Sequence, residues 1–245
     1  MYMTRFFVDP SVLDESIIYL TDDNAAHARV LRLRTNEEVL VCDGAGRECL
    51  CTVDICNSSE VKLCVKQILN SEAEAQIKAS IYMAFPKGDK LEHVIQKATE
   101  LGAYEIITFP SARCISKPDA KSLSKKLERW QKIAASAAEQ SGRGIIPQVV
   151  VLHSYHEALK RAATTDLAIL FYENEQATTL HTALESSRFR SVSLLTGPEG
   201  GLEESEVDQA KAAGLAVCTL GKRILRCETA PLCALSAVMY AAGEF

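Results

Sequence analysis

Near residue 76 the hydrophobic pattern of this chain changes period, and that change limits the possible folds more than any single motif. Upstream, short apolar runs follow one another: Phe6 to Val8, Ile17 to Leu20, Glu38 to Cys42, Glu48 to Ile55 and Val61 to Leu69. Cys49, Cys51, Val53 and Ile55 alternate with Leu50, Thr52 and Asp54, the two-residue period of a curled sheet. One helix interrupts them, Asp22 to Leu33, which Thr21 or Asp22 can cap and which carries Ala26, Val30 and Leu33 roughly on one face. The polar, acidic stretch 70–76 reads as a linker, so residues 1–72 are expected to form a small barrel-like β domain. Downstream, strands alternate with helices. Strands are predicted at Ala79 to Phe85, Glu105 to Phe109, Gln148 to Leu152, Leu167 to Tyr172, Val192 to Thr196 and Ala216 to Leu220. Helices are predicted at Lys90 to Leu101, Ser122 to Gln140, Glu203 to Ala213 and Pro231 to Ala242. That order predicts a parallel sheet with helices on both faces over residues 73–245.

A common nucleotide-binding fold places its glycine-rich loop after the first strand of the α/β domain. Here that position reads Ala84-Phe85-Pro86-Lys87-Gly88-Asp89, with one glycine. Gly44-Ala45-Gly46 lies in the β region and reads as a hairpin turn. The glycine loops fall instead at the far end: Thr196-Gly197-Pro198-Glu199-Gly200-Gly201-Leu202, and Leu220-Gly221-Lys222-Arg223-Ile224-Leu225-Arg226-Cys227-Glu228-Thr229-Ala230. Each follows an apolar strand and precedes a helix. Glycine lets a backbone approach a ligand closely, so two such loops can form one cradle. The second adds an apolar pair, an arginine, a carboxylate and a helix cap, a combination that packing alone does not require.

Charge and cysteine content narrow the partners. The net charge is −5, and residues 1–72, with 7 Lys/Arg against 12 Asp/Glu, account for all of it. Any nucleic-acid site must then be a local patch rather than a global field. No apolar run approaches a membrane span, and the first ten residues lack the apolar core of a signal peptide, so the expected compartment is the cytoplasm. The nine cysteines include no CxxC pair, and they read as small buried hydrophobes rather than metal ligands. His153 and His156 lack an evident third ligand and read as surface or packing residues.

The pair of loops resembles the cofactor-binding knot of SPOUT methyltransferases. More closely, it resembles the RsmE family, which methylates N3 of a uridine in 16S (small-subunit) ribosomal RNA. The likeness extends upstream through Lys87-Gly88-Asp89-Lys90, Ile95-Gln96-Lys97-Ala98-Thr99-Glu100-Leu101-Gly102 and Ala138-Glu139-Gln140-Ser141-Gly142-Arg143. Arg5-Phe6-Phe7 and His27 to Arg34 resemble that family's N-terminal PUA-like barrel. Pro231 after Glu-Thr-Ala, and Ala103-Tyr104 after Gly102, depart from the family pattern.

The resemblance implies an α/β fold of SPOUT type, a parallel sheet with a C-terminal trefoil knot behind a small PUA-like β-barrel. It also implies S-adenosyl-L-methionine as cofactor, held without metal by Thr196, Gly197, Pro198, Glu199, Gly200, Gly201, Leu220, Gly221, Ile224, Leu225, Thr229 and Ala230. Methyl transfer needs two reactants held in line, and a uridine N3 is a poor nucleophile until its proton leaves. Arg226 is expected to stabilise charge developing on the flanking carbonyl oxygens, and Glu228 to accept the proton or hold Arg226. Arg29, Arg32, Arg34, Lys87, Lys90, Lys97, Arg113 and Arg143 are expected to form a phosphate track for 16S rRNA, on naked RNA or on the small ribosomal subunit. A homodimer through the final helix is expected, because Leu235, Val238 and Met239 exceed what one core contact uses. Two rival readings are a 2′-O-ribose methyltransferase of the same superfamily, and a ribosome-assembly protein that kept the fold without catalysis. The first typically carries a serine–asparagine motif where this chain has Arg226 to Thr229; the intact loop glycines count against the second.

Overall fold

The structure, a computed structural model, describes residues 3–58, 60–115 and 120–245. The chain divides into two compact units: Met1–Glu74 with Ala135–Ile146, and Ala75–Ala134 with Pro147–Phe245.

The first unit is a bent five-stranded mixed sheet of β1 (Arg5–Phe7), β2 (Ile17–Tyr19), β3 (Glu38–Cys42), β4 (Arg47–Cys56) and β5 (Val61–Asn70), in the order β1-β3-β4-β5-β2. β1 runs parallel to β3, and the other pairs are antiparallel. Register shifts at Leu50/Cys51 and Val53/Ile55 bend the long hairpin β4–β5, the usual effect of a bulge. The sheet and helix α1 (Asp22–Val30) enclose Phe6, Leu13, Ile18, Val39, Val41, Cys49, Cys51, Val53 and Leu63. Burial pushes the Cys51 thiol up to about 12, so it behaves as an apolar group. A short 3-10 helix, Pro10–Asp14, was not predicted; Asp9 caps it through Ser11 N (3.0 Å), and Pro10 opens it. Helix α1 stops short of the predicted Leu33, because Arg32 takes a left-handed conformation (φ 55°) and turns the chain.

The second unit is a six-stranded parallel sheet of β6 (Lys78–Ala84), β7 (Glu105–Phe109), β8 (Gln148–Val151), β9 (Leu167–Phe171), β10 (Ser191–Thr196) and β11 (Ala216–Cys218). The order is β11-β9-β10-β6-β7-β8. Helices α2 (Lys90–Glu100), α3 (Ala120–Ser141, counted with the first unit from Ala135 on), α4 (Tyr155–Ala162), α5 (Leu180–Glu185), α6 (Glu204–Ala212) and α7 (Thr229–Ala241) connect or follow the strands. Central β6 is buried from Ala79 to Ala84, as a strand covered on both faces must be. Helix α2 buries Leu91, Val94, Ile95, Ala98 and Thr99, one stripe at helical spacing.

Helices α4 and α5 were not predicted. Each is short, and each is started by a hydroxyl cap, Ser154 on Glu157 N and Thr179 on Thr182 N. Helix α7 begins at Thr229, ahead of the predicted Pro231, which places Glu228 at its N-cap. Strands β7 and β8 lie on one side of β6, and β9, β10 and β11 on the other. The order therefore reverses between β6 and β10, and in such sheets the crevice at the carboxyl ends of the strands beside that reversal is where ligands bind.

Candidate methyl-transfer site

The loops leaving β9, β10 and β11 lie side by side, because those three strands are neighbours in the sheet. Together they line a cavity of about 1090 Å³. The loop after β10 contributes Thr196, Gly197, Pro198, Glu199, Gly200 and Gly201; the loop after β11 contributes Leu220, Gly221, Ile224, Leu225 and Arg226. Ala230 lines the cavity too, and Thr229 does not. Sequence reasoning missed the third wall, Phe171 to Glu173 with Glu175, Gln176 and Thr179 after β9. The sequence carries no signal for it: β9 is one strand removed from the reversal, and only the strand order, which sets β9 between β10 and β11, brings its loop to the cavity.

The glycines of the first loop each have a packing reason. A Cβ on Gly197 would stand 3.0 Å from Leu202 Cγ and 3.1 Å from the carbonyl carbon of Gly201. One on Gly200 would press on Arg113 Cβ at 3.2 Å, and Gly201 takes φ +67° under the carboxylate of Glu173. Gly221 faces open space, and its requirement is φ +106°. Arg113 Nη1 donates to Gly200 O (3.0 Å), so this arginine braces the loop. Ile224 is 87% exposed, an apolar side chain held over an open cavity.

Charges gather at one end. Lys90, the first residue of α2, donates to Glu199 Oε1 (2.8 Å) and lies 3.6 Å from Glu228 Oε2 and 3.7 Å from Cys227 Sγ. Burial alone would raise the Glu199 carboxyl; the Lys90 ammonium and the N–H groups of Lys87 and Glu199 itself overcome it and pull the group down to about 2. The backbone N–H of Glu228 lowers its carboxyl first, with the Cys227 thiol and Lys90 adding to that effect against burial. Burial, with the bond to Glu228 (3.2 Å), pushes the Cys227 thiol up to about 12, so it stays a neutral donor. Among the described residues the Arg226 guanidinium has no hydrogen-bond or ion-pair partner; the exposed side chain stands at the cavity while its carbonyl accepts from Thr229 and Ala230. Glu228 thus pairs with Lys90 and Cys227 rather than with Arg226.

The predicted phosphate contacts divide. Arg29, Arg32 and Arg34 are exposed around the end of α1, with Arg29 Nη1 donating to Asn57 O and Ser58 O. Lys87 is exposed, and Lys97 pairs with Glu100 at 2.7 Å. Arg113 braces the glycine loop, and Lys90 sits among carboxylates. Arg143 is a correction: it is 4% exposed, and its Nη2 and Nε hold Glu74 Oε2 at 2.7 and 3.1 Å. A guanidinium buried on a carboxylate is a structural tie, because freeing it for phosphate would strand the buried charge.

The α7 residues expected at a homodimer interface do not face outward. Leu235, Val238 and Met239 are fully buried within this chain, where α7 packs on α2, β6 and β10. Exposed on α7 are Thr229, Cys233, Tyr240 and Ala241, the last three beside a second, mostly apolar cavity of about 850 Å³ lined also by Leu180, Leu184, Phe189 and Ala237. Among the described residues no helix is long and apolar enough to cross a membrane, and no group of three His, Cys, Asp or Glu side chains is placed to hold a metal.

Comparison with known proteins agrees with this architecture. The RNA methyltransferase domain family matches residues 73–239, and the RNA methyltransferase PUA domain family matches residues 20–63. Ribosomal RNA small subunit methyltransferase E of Bacillus subtilis (strain 168) is 38% identical over 97% of this chain and 96% of its own length. The protein of that name from Synechocystis is 32% identical over 96% of this chain and 76% of its own length. A crystal structure of ribosomal RNA small subunit methyltransferase E from Neisseria gonorrhoeae, bound to S-adenosyl methionine, superposes with a TM-score of 0.86 at 31% identity over 98% of both chains. The fold and site define an RNA methyltransferase, and the chain belongs to the ribosomal RNA small subunit methyltransferase E family.

Proposed function

We propose that this protein transfers the methyl group of S-adenosylmethionine to N3 of a uridine in small-subunit ribosomal RNA. The observation that carries the reading is the cavity where the glycine loops after β10 and β11 meet the loop after β9. Its glycines leave a backbone-lined cradle in which a Cβ at Gly197 would crowd Leu202 and the Gly201 backbone, and its volume is of the order that small-molecule sites have. Thr196 to Gly201, Leu220, Gly221, Ile224, Leu225 and Ala230 would hold the cofactor; Thr229, exposed at the start of α7, fixes the loop by donating its N–H to Arg226 O. We read the threading of these C-terminal segments as a trefoil knot, which would account for three separate loops enclosing one ligand.

When bound, S-adenosylmethionine supplies an electrophilic methyl carbon on a sulfonium. Arg226, unpartnered at the cavity, donates to the uracil carbonyl oxygens as charge builds on them during attack. Glu228, held ionised, accepts the hydrogen bond of the imide N–H and then its proton. Arg29, Arg32 and Arg34 on the first unit, with Lys87 on the second, contact RNA phosphates. A second copy of the chain covers the apolar groove beside α5 and α7. The substrate places the reaction in the cytoplasm, where ribosomes are assembled.

Nucleoside mass spectrometry tests the reading. Small-subunit rRNA from cells lacking the protein should lose one N3-methyluridine, and purified protein with S-adenosylmethionine should restore it. A 2′-O-methyl nucleoside instead, or no change, would replace this reading with one of its rivals.

A further inference from the structure

Lys90 stands where helix physics disfavours it. It is the first residue of α2, and a cation at a helix N-terminus opposes the positive end of the macrodipole. A residue that breaks a local rule needs a compensating gain. Here the compensation is specific: its Nζ reaches Glu199 in the loop after β10 and Glu228 at the N-cap of α7, with Cys227 alongside. Among the described residues Lys90 and Cys227 contact Glu228, and Glu199 shares the Lys90 ammonium with it. Among the described residues Lys90 is the one cation in the cluster. Without it, two carboxylates from two loops would be left beside each other with no shared cation, and like charges at such range disfavour the ionised form.

We propose that Lys90 is a positioning residue for methyl transfer: it joins the two cofactor loops through Glu199 and Glu228 and holds the Glu228 carboxylate ionised and aimed beside Arg226. The inference rests on the reaction proposed above. It assigns Lys90 to the reaction centre rather than to an RNA phosphate. The lowered carboxyl of Glu228 and the raised ammonium of Lys90 agree with the geometry.

The test is single-turnover methylation of small subunits from cells lacking the protein, with the cofactor affinity of each variant measured separately by calorimetry. Lys90→Met should lower the rate by about tenfold or more while the cofactor affinity stays within a few-fold. The ratio of wild-type to Lys90→Met rate should grow as pH falls from about 8 to 5.5, because the variant's Glu228 becomes protonated first. Lys90→Arg, which keeps the charge, should restore most of the rate and flatten that ratio. In a Glu228→Gln background, Lys90→Met should cost little more.

A Lys90→Met enzyme with normal rate, or with a deficit independent of pH and not rescued by arginine, would overturn the proposal. If Lys90→Met fails to fold, Glu228→Gln decides: a wild-type rate there leaves Lys90 nothing to position. A wild-type protein that does not methylate uridine N3 at all rejects the parent reaction instead, so the two failures are distinct.

Discussion

Glu74 and Arg143, 69 residues apart in sequence, form a half-buried two-sided clasp: Glu74 Oε2 takes both Nε and Nη2 of Arg143, and Oε1 takes the N–H groups of Gly144 and Ile145, each at 3.0 Å. The clasp ties the segment after α3 to the chain leaving β5 within one unit. Gly144 fits there because a Cβ would stand 2.5 Å from Ser71 Cβ. Breaking a buried ion pair from one side typically costs about 3–5 kcal/mol. Glu74→Ala is therefore expected to lower the denaturation midpoint strongly. Arg143→Ala should do the same, and at a temperature where it is folded it should leave the salt dependence of RNA binding unchanged. A shallower salt slope in that variant would return Arg143 to the RNA surface.

Cofactor binding separates the two reasons for glycine in the loops. Gly197→Ala drives a Cβ against the backbone of Gly201, so its affinity for S-adenosylmethionine should fall by about tenfold, near 1.4 kcal/mol. Gly221→Ala meets no atom but must hold φ +106°, at a cost of about 1–3 kcal/mol in stability or loop placement. Gly214, with φ +89° and open space, lies outside the cavity lining and serves as control: Gly214→Ala should lose stability and keep cofactor affinity. Calorimetry beside thermal melts reads all three.

For RNA, the exposed arginines around the end of α1 should act through charge. Arg32→Ala and Arg34→Ala are each expected to make the log–log salt slope of single-stranded RNA binding shallower by about 0.7, the share of one phosphate. Cofactor affinity should not move. Unchanged slopes in both variants would remove the first unit from RNA binding.

Oligomeric state follows from the outward residues of α7 rather than its buried ones. Light scattering at micromolar concentration should give the mass of two 26.8 kDa chains. Tyr240→Glu, at a side chain 75% exposed, should shift it toward one without lowering the melting temperature of the separate chain. A monomer in the wild type would leave the groove beside α5 without a second copy to cover it.

The sequence made legible what depends on local pattern. Strand and helix periods gave the change from a mixed β sheet to a parallel α/β sheet, and Gly197 to Gly201 and Gly221 marked two walls of the cavity. What it hid depends on strand order and on distant partners. Tyr172-Glu173-Asn174-Glu175-Gln176 reads as an ordinary polar loop, and only the placement of β9 between β10 and β11 brings it to the cavity. Arg143 in Ser141-Gly142-Arg143 looks exposed until Glu74 is found against it. Lys90 looks like one more basic residue until the fold sets Glu199 and Glu228 on either side of it. Short helices such as α5 carry too few turns for periodicity to show.

Arg226 should matter for turnover more than for cofactor binding. Its backbone is fixed by the first turn of α7, where its carbonyl accepts from Thr229 N at 2.9 Å and Ala230 N at 3.0 Å. Its side chain is exposed at the cavity, so removing it breaks no contact that holds the fold. A donor that acts on charge present only in the transition state lowers kcat when deleted and leaves ground-state binding nearly unchanged. Loss of one such donor typically costs about 10²–10³ in rate. Arg226→Ala is therefore expected to fold normally, bind S-adenosylmethionine within a few-fold of wild type, and methylate small subunits slower by that factor in single turnover. Arg226→Lys should recover only part of the rate, because a lysine offers one point charge where the guanidinium offers a fork. A near-normal rate for Arg226→Ala would take the arginine out of catalysis and leave activation of the uridine to Glu228, held by Lys90, or to the RNA itself.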